Sequence, residues 1–389
     1  MSAGHIRPRG KGSWELKYDI GADPITAKRR IKYKTVHGKK SDAQRELRNL
    51  LGTVDKGVVA DAGRLTTGQW LEQWLAECKH TVSPKTWQER EAFVHKHLIP
   101  ALGSVPLARL SPVHVQKHYT DALTSGRLDG KGGLSAQTVR HHDRVLHVAL
   151  DRARQLHLIA TNPVQDAKPP KVERAEMVTL GPTGQACLLA TAAEGPLHAP
   201  VVLALATGMR RGELLALAWR HVDLDAGQVH VEQAVEQTKA GVRLKTPKTR
   251  HGRRTVTLPP AAVEVLRRHR VAQAEECLRL GLGKPEMLFP REAADPKEFS
   301  KAFARLADRA GVDITFHGLR HTHITDLLRA GVHPKVVSER AGHSSVAFTL
   351  DRYAHVSLEM QQAAAEQMDA ALRQALGWQT GGNSGGAAG

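Results

Sequence analysis

Tyr353 is one of only four tyrosines in 389 residues, and cationic side chains recur in the segments that precede it. Ten residues before it stands His343, in Ala341-Gly342-His343-Ser344-Ser345. Upstream lies His317-Gly318-Leu319-Arg320-His321-Thr322-His323, and further back Ala206-Thr207-Gly208-Met209-Arg210-Arg211-Gly212-Glu213. A phenol, two separated arginines, two histidines and a lysine are together the parts needed to attack a phosphodiester.

That attack requires a nucleophile, charge stabilisation of a pentavalent phosphorus, and an acid for the leaving oxygen. Arginine suits the second task because its planar fork pairs two phosphate oxygens and stays protonated. Arg210 and Arg320 are the two expected clamps, and losing either should cost on the order of 10² in rate or more. Arg210 follows an apolar run and a Thr-Gly turn, so it is expected to open a helix whose free N–H groups also face an anion. His317 and Arg320 share a helix face at a spacing of three. The same HxxR spacing occurs at His141–Arg144 and His251–Arg254, but only 317–320 has a second histidine and a tyrosine downstream. His343 is expected to bond a nonbridging oxygen or buffer the phenol proton.

Tyr353 is the expected nucleophile. A free phenol has a pKa of about 10 and needs guanidinium neighbours or a base to ionise during attack. A phosphotyrosyl ester conserves the energy of the broken bond, so a free hydroxyl can reseal it without ATP or metal. The chain has neither a GxxxxGK[ST] phosphate loop nor a carboxylate cluster suited to two metals, and no cofactor is expected. The acid is expected to be a lysine. Lys248, in Thr246-Pro247-Lys248-Thr249-Arg250, sits in a polar turn between two expected strands, with Lys245 and Lys239 as competitors. A zinc site built on His317, His321, His323 and His343 is set aside, because no cysteine or acid supplies a matched second half.

The elements that must position these groups follow from periodicity. Residues 12–20 and 29–36 alternate apolar and polar around a Gly-Ala-Asp-Pro turn signal, predicting a small antiparallel sheet. Ser41 is expected to cap a helix from Asp42 to about Lys56. Gly57–Gly63 reads as a linker. Trp70, Leu71, Trp74 and Leu75 begin a helical pattern, Ser83-Pro84 and Ser111-Pro112 start two more helices, and a fourth runs from Ser135 to about Leu156. Lys168-Pro169-Pro170-Lys171 breaks the pattern. Beyond 174, helices are expected at 183–193, 196–208, 212–218, 260–280, 297–310, 318–331, 334–341 and 357–377. Strands are expected at 228–235, 242–245 and 255–258.

The chain therefore divides into 1–57, 64–165, 174–378 and a low-complexity tail 379–389 expected to be disordered. The fold class is multidomain, mainly α with small β-sheets: a sheet-plus-helix module, a helical bundle and a mixed α+β catalytic domain. The net charge is +17 with a pI near 10.0, which points to a polyanionic partner, nucleic acid first. Residues 1–60 hold 14 Lys and Arg against 6 Asp and Glu, and residues 64–165 hold 13 against 8, so several segments are able to face phosphates. Cys78, Cys187 and Cys277 lie far apart, which suits a reducing cytoplasm better than a disulfide framework. Residues 1–10 lack an apolar segment and the apolar run 199–206 is too short to cross a bilayer, so neither a signal peptide nor membrane association is expected.

Taken in order, these motifs resemble the tyrosine recombinase family, especially phage-type integrases. The 206–217 stretch resembles the family's first arginine box, with Arg210 at its catalytic arginine and Glu213 at the acid that follows. His317 to His323 resembles the second box, Gly342-His343 the family's Gly-His, and Tyr353 the nucleophile position. Lys248 matches the lysine of the family's β-hairpin turn. Gly318 stands where many members carry an acid, and Ala341 where many carry leucine. Residues 64–165 are similar to the core-binding domain and 1–57 to the arm-binding module. The resemblance implies site-specific recombination of double-stranded DNA attachment sites through a 3′-phosphotyrosine and a Holliday junction. It also implies a homotetramer on DNA, with DNA-bending or directionality factors as further partners. A type IB topoisomerase and a non-catalytic DNA-binding regulator are the rival readings.

Overall fold

A computed structural model describes residues 4–22, 29–55, 65–173, 177–246, 252–289, 295–343, 345–353 and 356–376. The chain forms two compact units, Met1–Arg174 and Ala175–Gly389. The expected mainly helical, multidomain class with small antiparallel sheets holds. Lys248 and the tail 379–389 lie outside the described residues.

The first unit opens with three antiparallel strands in the order β1 (Gly4–Gly10), β2 (Ser13–Ala22), β3 (Arg29–His37). Strand β1 was not expected, because Arg7-Pro8-Arg9 reads as a basic tail. It pairs on the sheet edge, where proline's missing N–H is tolerated. Alternation puts Leu16 and Tyr18 on the face covered by Ala43 and Leu47 of α1 (Lys40–Asp55). On β2 and β3, the register pair Lys17 and Tyr33 stay exposed, with the ammonium 5.9 Å from the ring centre. Helix α1 begins at Lys40, so Ser41 lies inside its first turn rather than capping it. The Asp42 carboxylate instead accepts from the Lys39 N–H at 3.0 Å.

A helical bundle follows: α2 (Thr67–Cys78), α3 (Pro84–Phe93), α4 (Ile99–Leu102), α5 (Pro112–Ser125) and α6 (Ala136–Gln155). A widened turn at Val94–Leu98 joins α3 to α4. Thr66 and Gln69 cap α2 reciprocally, and Ser83 Oγ accepts from the Thr86 N–H ahead of α3. Trp70, Leu71, Trp74, Leu98, Leu146 and Leu150 fill the core, and Trp70 Nε1 donates to the Ala149 carbonyl at 2.9 Å. Two buried imidazoles, His118 and His142, gather there with the half-buried His97. His142 lies 4.8 Å from His97 and 5.4 Å from His118, centre to centre. Neither ring nitrogen of His142, nor Nε2 of His118, has a hydrogen-bond partner among the described residues.

The second unit begins with α7 (Pro182–Ala192), α8 (His198–Thr207) and the single turn α9 (Arg211–Leu214). Strands β4 (Val222–Asp223), β5 (Gln228–Val231) and β8 (Arg254–Thr257) form one antiparallel sheet, and β6 (Ala234–Thr238) and β7 (Gly241–Lys245) a hairpin. The single strand expected over 228–235 is thus two, parted at Glu232-Gln233 and shared between two sheets. Then come α10 (Pro260–Arg279), α11 (Pro296–Arg309), α12 (Phe316–Arg329), α13 (Pro334–Ala341), α14 (Val346–Arg352) and α15 (Val356–Ala375). Helix α14, unforeseen in the sequence, delivers Tyr353 as its C-cap residue. Phe316 anchors α12 in the core by edge-to-face contacts with Phe299 at 4.8 Å and Phe303 at 5.2 Å. No described helix is long and apolar enough to cross a membrane.

Candidate active site

Two glycines with positive φ hold the two arginines. Gly208, at φ +62°, ends α8, and its carbonyl accepts from Arg320 Nη1 at 2.6 Å. Gly342, at φ +67°, ends α13, and its carbonyl accepts from Arg210 Nη2 at 2.8 Å. Each guanidinium therefore rests on the C-terminal, electronegative end of a helix. A Cβ at Gly208 would stand 2.5 Å from the His323 ring, so both space and backbone conformation require glycine there.

Glu213 gathers the charges between them. Its carboxylate accepts from the Arg210 backbone N–H at 3.0 Å and from Arg210 Nη1 at 2.7 Å. The same carboxylate accepts from Arg254 Nη2 at 2.8 Å. Arg254 also donates through Nε to the Arg340 carbonyl at 2.7 Å. Arg340 in turn bonds the carbonyls of Ala206 and Thr257, each at 2.8 Å, and lies 3.3 Å from His323 Nε2. His323 Nδ1 meets the Leu205 carbonyl at 2.7 Å, so it must donate there, which leaves Nε2 to accept from Arg340. Only the neutral imidazole fits that pair of partners.

Burial and charge act together on these groups. Arg320 is 3% exposed. Burial, then the neighbouring Arg210, lowers its pKa to about 9, and it keeps its charge at neutral pH. Arg320 Nη2 and Arg254 Nη1 are buried donors with no acceptor among the described residues. Burial would raise Glu213, but the bond and charge of Arg254 and the charge of Arg210 prevail and hold its carboxyl below the usual range. Burial, Arg320, Arg210 and Arg254 push His343 down to about 3, which keeps it neutral. Its Nδ1 lies 2.7 Å from Thr349 Oγ1 of α14.

Tyr353 is 2% exposed. Its hydroxyl meets His321 Nδ1 at 2.6 Å, and its oxygen lies close enough to Arg320 to support that cation's charge. The His321 ring stands edge-on to that of His317, 4.8 Å away, and His317 is exposed. The site thus presents a phenol next to a buried guanidinium whose Nη2 has no acceptor among the described residues, the arrangement an anionic reactant would complete.

Similarity to known proteins extends over most of the chain. The model of the phage integrase family matches residues 186–360, and that of the phage integrase N-terminal SAM-like domain matches 66–123. The chain belongs to the phage integrase family of tyrosine recombinases. It is 26% identical to a XerC-like tyrosine recombinase of Caldanaerobacter subterraneus, over 92% of this chain and 96% of the relative. It is 27% identical to an integrase of Saccharopolyspora erythraea, over 92% and 94%. In fold it resembles the Tn1549 transposon integrase solved with a circular intermediate DNA, with a TM-score of 0.65, 23% identity, and 78% of this chain and 99% of that one covered. A lambda integrase tetramer bound to a Holliday junction gives a TM-score of 0.54 at 19% identity, covering 87% and 95%.

In this tyrosine recombinase, Arg210, Arg320, His343 and Tyr353 come together with Glu213, while His317 stands at the exposed edge through His321. Lys248 falls outside the described residues. Its competitor Lys245 is committed to Glu236, with Nζ 2.6 Å from Oε1. The phenol's partner is His321. Of the two tasks expected for His343, bonding a nonbridging oxygen or buffering the phenol proton, its neutral, Thr349-bonded ring suits the first. Arg254 is the residue the sequence passed over, since its HxxR spacing looked accidental. The absence of an acid at position 318 also has a local reason: a Cβ there would come within 2.4 Å of the Ile314 side chain.

Proposed function

We propose that this recombinase breaks a DNA strand by attack of the Tyr353 oxygen on the scissile phosphorus. The phosphorus–5′ oxygen bond breaks, a 3′-phosphotyrosyl ester forms, and the departing 5′ hydroxyl, or that of a second duplex, reseals the bond by the reverse step. The observation that carries this reading is the buried phenol hydrogen-bonded to His321 beside Arg320, whose Nη2 lacks an acceptor among the described residues. Arg320 and Arg210 would pair the nonbridging oxygens, with His343 as a neutral donor to the same group. His321 is placed to take the phenol proton and pass it toward the exposed His317. Lys248 would protonate the leaving 5′ oxygen.

The substrate would be double-stranded attachment sites of a mobile element, joined on a tetramer of the cytoplasmic enzyme, with DNA-bending or directionality factors as additional partners. The bundle of residues 64–165 would grip the core site. The sheet module of residues 1–57, with Lys17 and Tyr33 exposed on its open face, would hold a second, arm-type site. Phosphate contacts of this kind release counterions, so affinity should fall steeply with salt.

The test uses the full chain and a nicked duplex bearing a site selected from randomised DNA by repeated rounds of binding. A denaturant-stable adduct on the 3′ phosphate, abolished in Tyr353→Phe while binding persists, is the expected result. Tight binding without an adduct on that duplex would overturn the catalytic reading. Relaxation of a single-site plasmid without exchange between two sites would favour topoisomerase action.

A further inference from the structure

Arg254 stands beside the cradle of Arg210 and has no place in the chemistry above. It enters from β8, a different element from either arginine box, and its side chain is only 7% exposed. Its fork spans two acceptors: Nη2 reaches Glu213 Oε2 at 2.8 Å, and Nε reaches the Arg340 carbonyl at 2.7 Å. Both acceptors belong to the cradle of Arg210. Glu213 binds Arg210 through its backbone N–H and Nη1, and the Arg340 carbonyl lies two residues before Gly342, whose carbonyl takes Arg210 Nη2.

We propose that Arg254 is a positioning residue for strand cleavage, clamping Glu213 and the end of α13 so that Arg210 meets the phosphate in one fixed orientation. The proposal rests on the phosphotyrosyl reading given above. Two geometric facts support it over a purely structural role. Arg210 takes both oxygens of the carboxylate, Oε2 through its backbone N–H and Oε1 through Nη1, and Arg254 adds a second, charged donor on Oε2 that ties the carboxylate to β8. The cradle also has two walls, one from α9 and one from α13, and Arg254 bonds both from outside, as Arg210 does from within. A displacement of an ångström at a clamp is enough to cost on the order of 10² in rate.

The measurement is adduct formation by the full-length protein on a saturating amount of the selected nicked duplex, with binding and thermal melting recorded alongside. Arg254→Met, similar in length but without the fork, should cleave on the order of 10²-fold more slowly while binding within about threefold of the wild type. In an Arg210→Lys background the same change should add less than about threefold, because a residue acting through Arg210 has little left to position. Glu213 should also ionise at higher pH without Arg254, so the acid limb of the cleavage profile should move up. If Arg254→Met melts below the assay temperature, Arg254→Lys carries the test. One ammonium cannot span both acceptors, so a loss of roughly tenfold is expected.

Cleavage at the wild-type rate in the folded variant, or a full multiplicative loss in the Arg210→Lys background, would overturn the proposal. Failure of the underlying chemistry would look different: the wild-type protein itself would give no Tyr353-dependent adduct.

Discussion

The histidine cluster of the bundle and the arginine cluster of the second unit both bury nitrogen atoms that find no hydrogen-bond partner among the described residues, and they resolve that burial in opposite ways. His118 and His142 can give up their charge. Burial drives them down to about 4 and about 3, so both are neutral at physiological pH and the cluster behaves as packed rings. Arginine cannot follow, because even at about 9 Arg320 stays protonated. The two arginines keep their charge because acceptors are built around them: the Gly208 carbonyl at the end of α8 for Arg320, and Glu213 with the Gly342 carbonyl at the end of α13 for Arg210. An unpaired imidazole in a core is a tolerated cost. A donor on an obligate cation that has no acceptor among the described residues, set inside a ring of acceptors, is what the proposed phosphate contact would complete.

Substitution separates the two clusters. Arg320→Ala should lower the rate of adduct formation by about 10² to 10³ and change the melting temperature little, since the lost bond to the Gly208 carbonyl is offset by removal of a buried cation whose Nη2 has no acceptor among the described residues. A loss of folding in parallel with cleavage, followed by melting and adduct assays on one preparation, would erase the distinction drawn here.

Acidification should act on the bundle. Both histidines have folded-state pKa values below the 6.5 of the unfolded chain, so the fold binds fewer protons than the unfolded state. Their neutral-state contribution is complete above about pH 6.5 and is lost as pH falls toward about 4, with a total on the order of a few kcal/mol. Amide exchange in α5 and α6, corrected for the intrinsic pH dependence, should rise over that window; exchange that stays flat would show that the cluster is hydrated. The smallest effect expected is a gain. His142→Leu replaces two unsatisfied nitrogens by apolar surface and should stabilise the bundle by about 1 kcal/mol in urea unfolding, with cleavage unchanged.

The same contrast explains how much could be read from the chain. The helices that carry Arg210, Arg320 and Gly342 announce themselves through apolar periodicity and Pro or Gly punctuation, signals local in sequence. Strand β1 was hidden because its pairing, not its composition, makes it a strand. Helix α14 was hidden because His343, Thr349 and Tyr353, which face inward, are polar. Arg254 was invisible for a different reason: its partners lie 41 and 86 residues away, and nothing near it distinguishes it from the other arginines of a basic chain. His321 was in view, yet the choice between it and His343 as partner of the phenol depends on where α14 ends.

Gly208 and Gly342 contribute to the arginine cradle only a carbonyl each and a backbone turn. A gene copy on its way to decay can therefore keep every arginine, histidine and tyrosine of the site and still be silent. One base change that gives Gly208 a side chain would press on His323 and displace the oxygen that holds Arg320. Surveys that score a mobile element as competent by its polar signature alone would count such copies as alive. The two glycines belong in the signature.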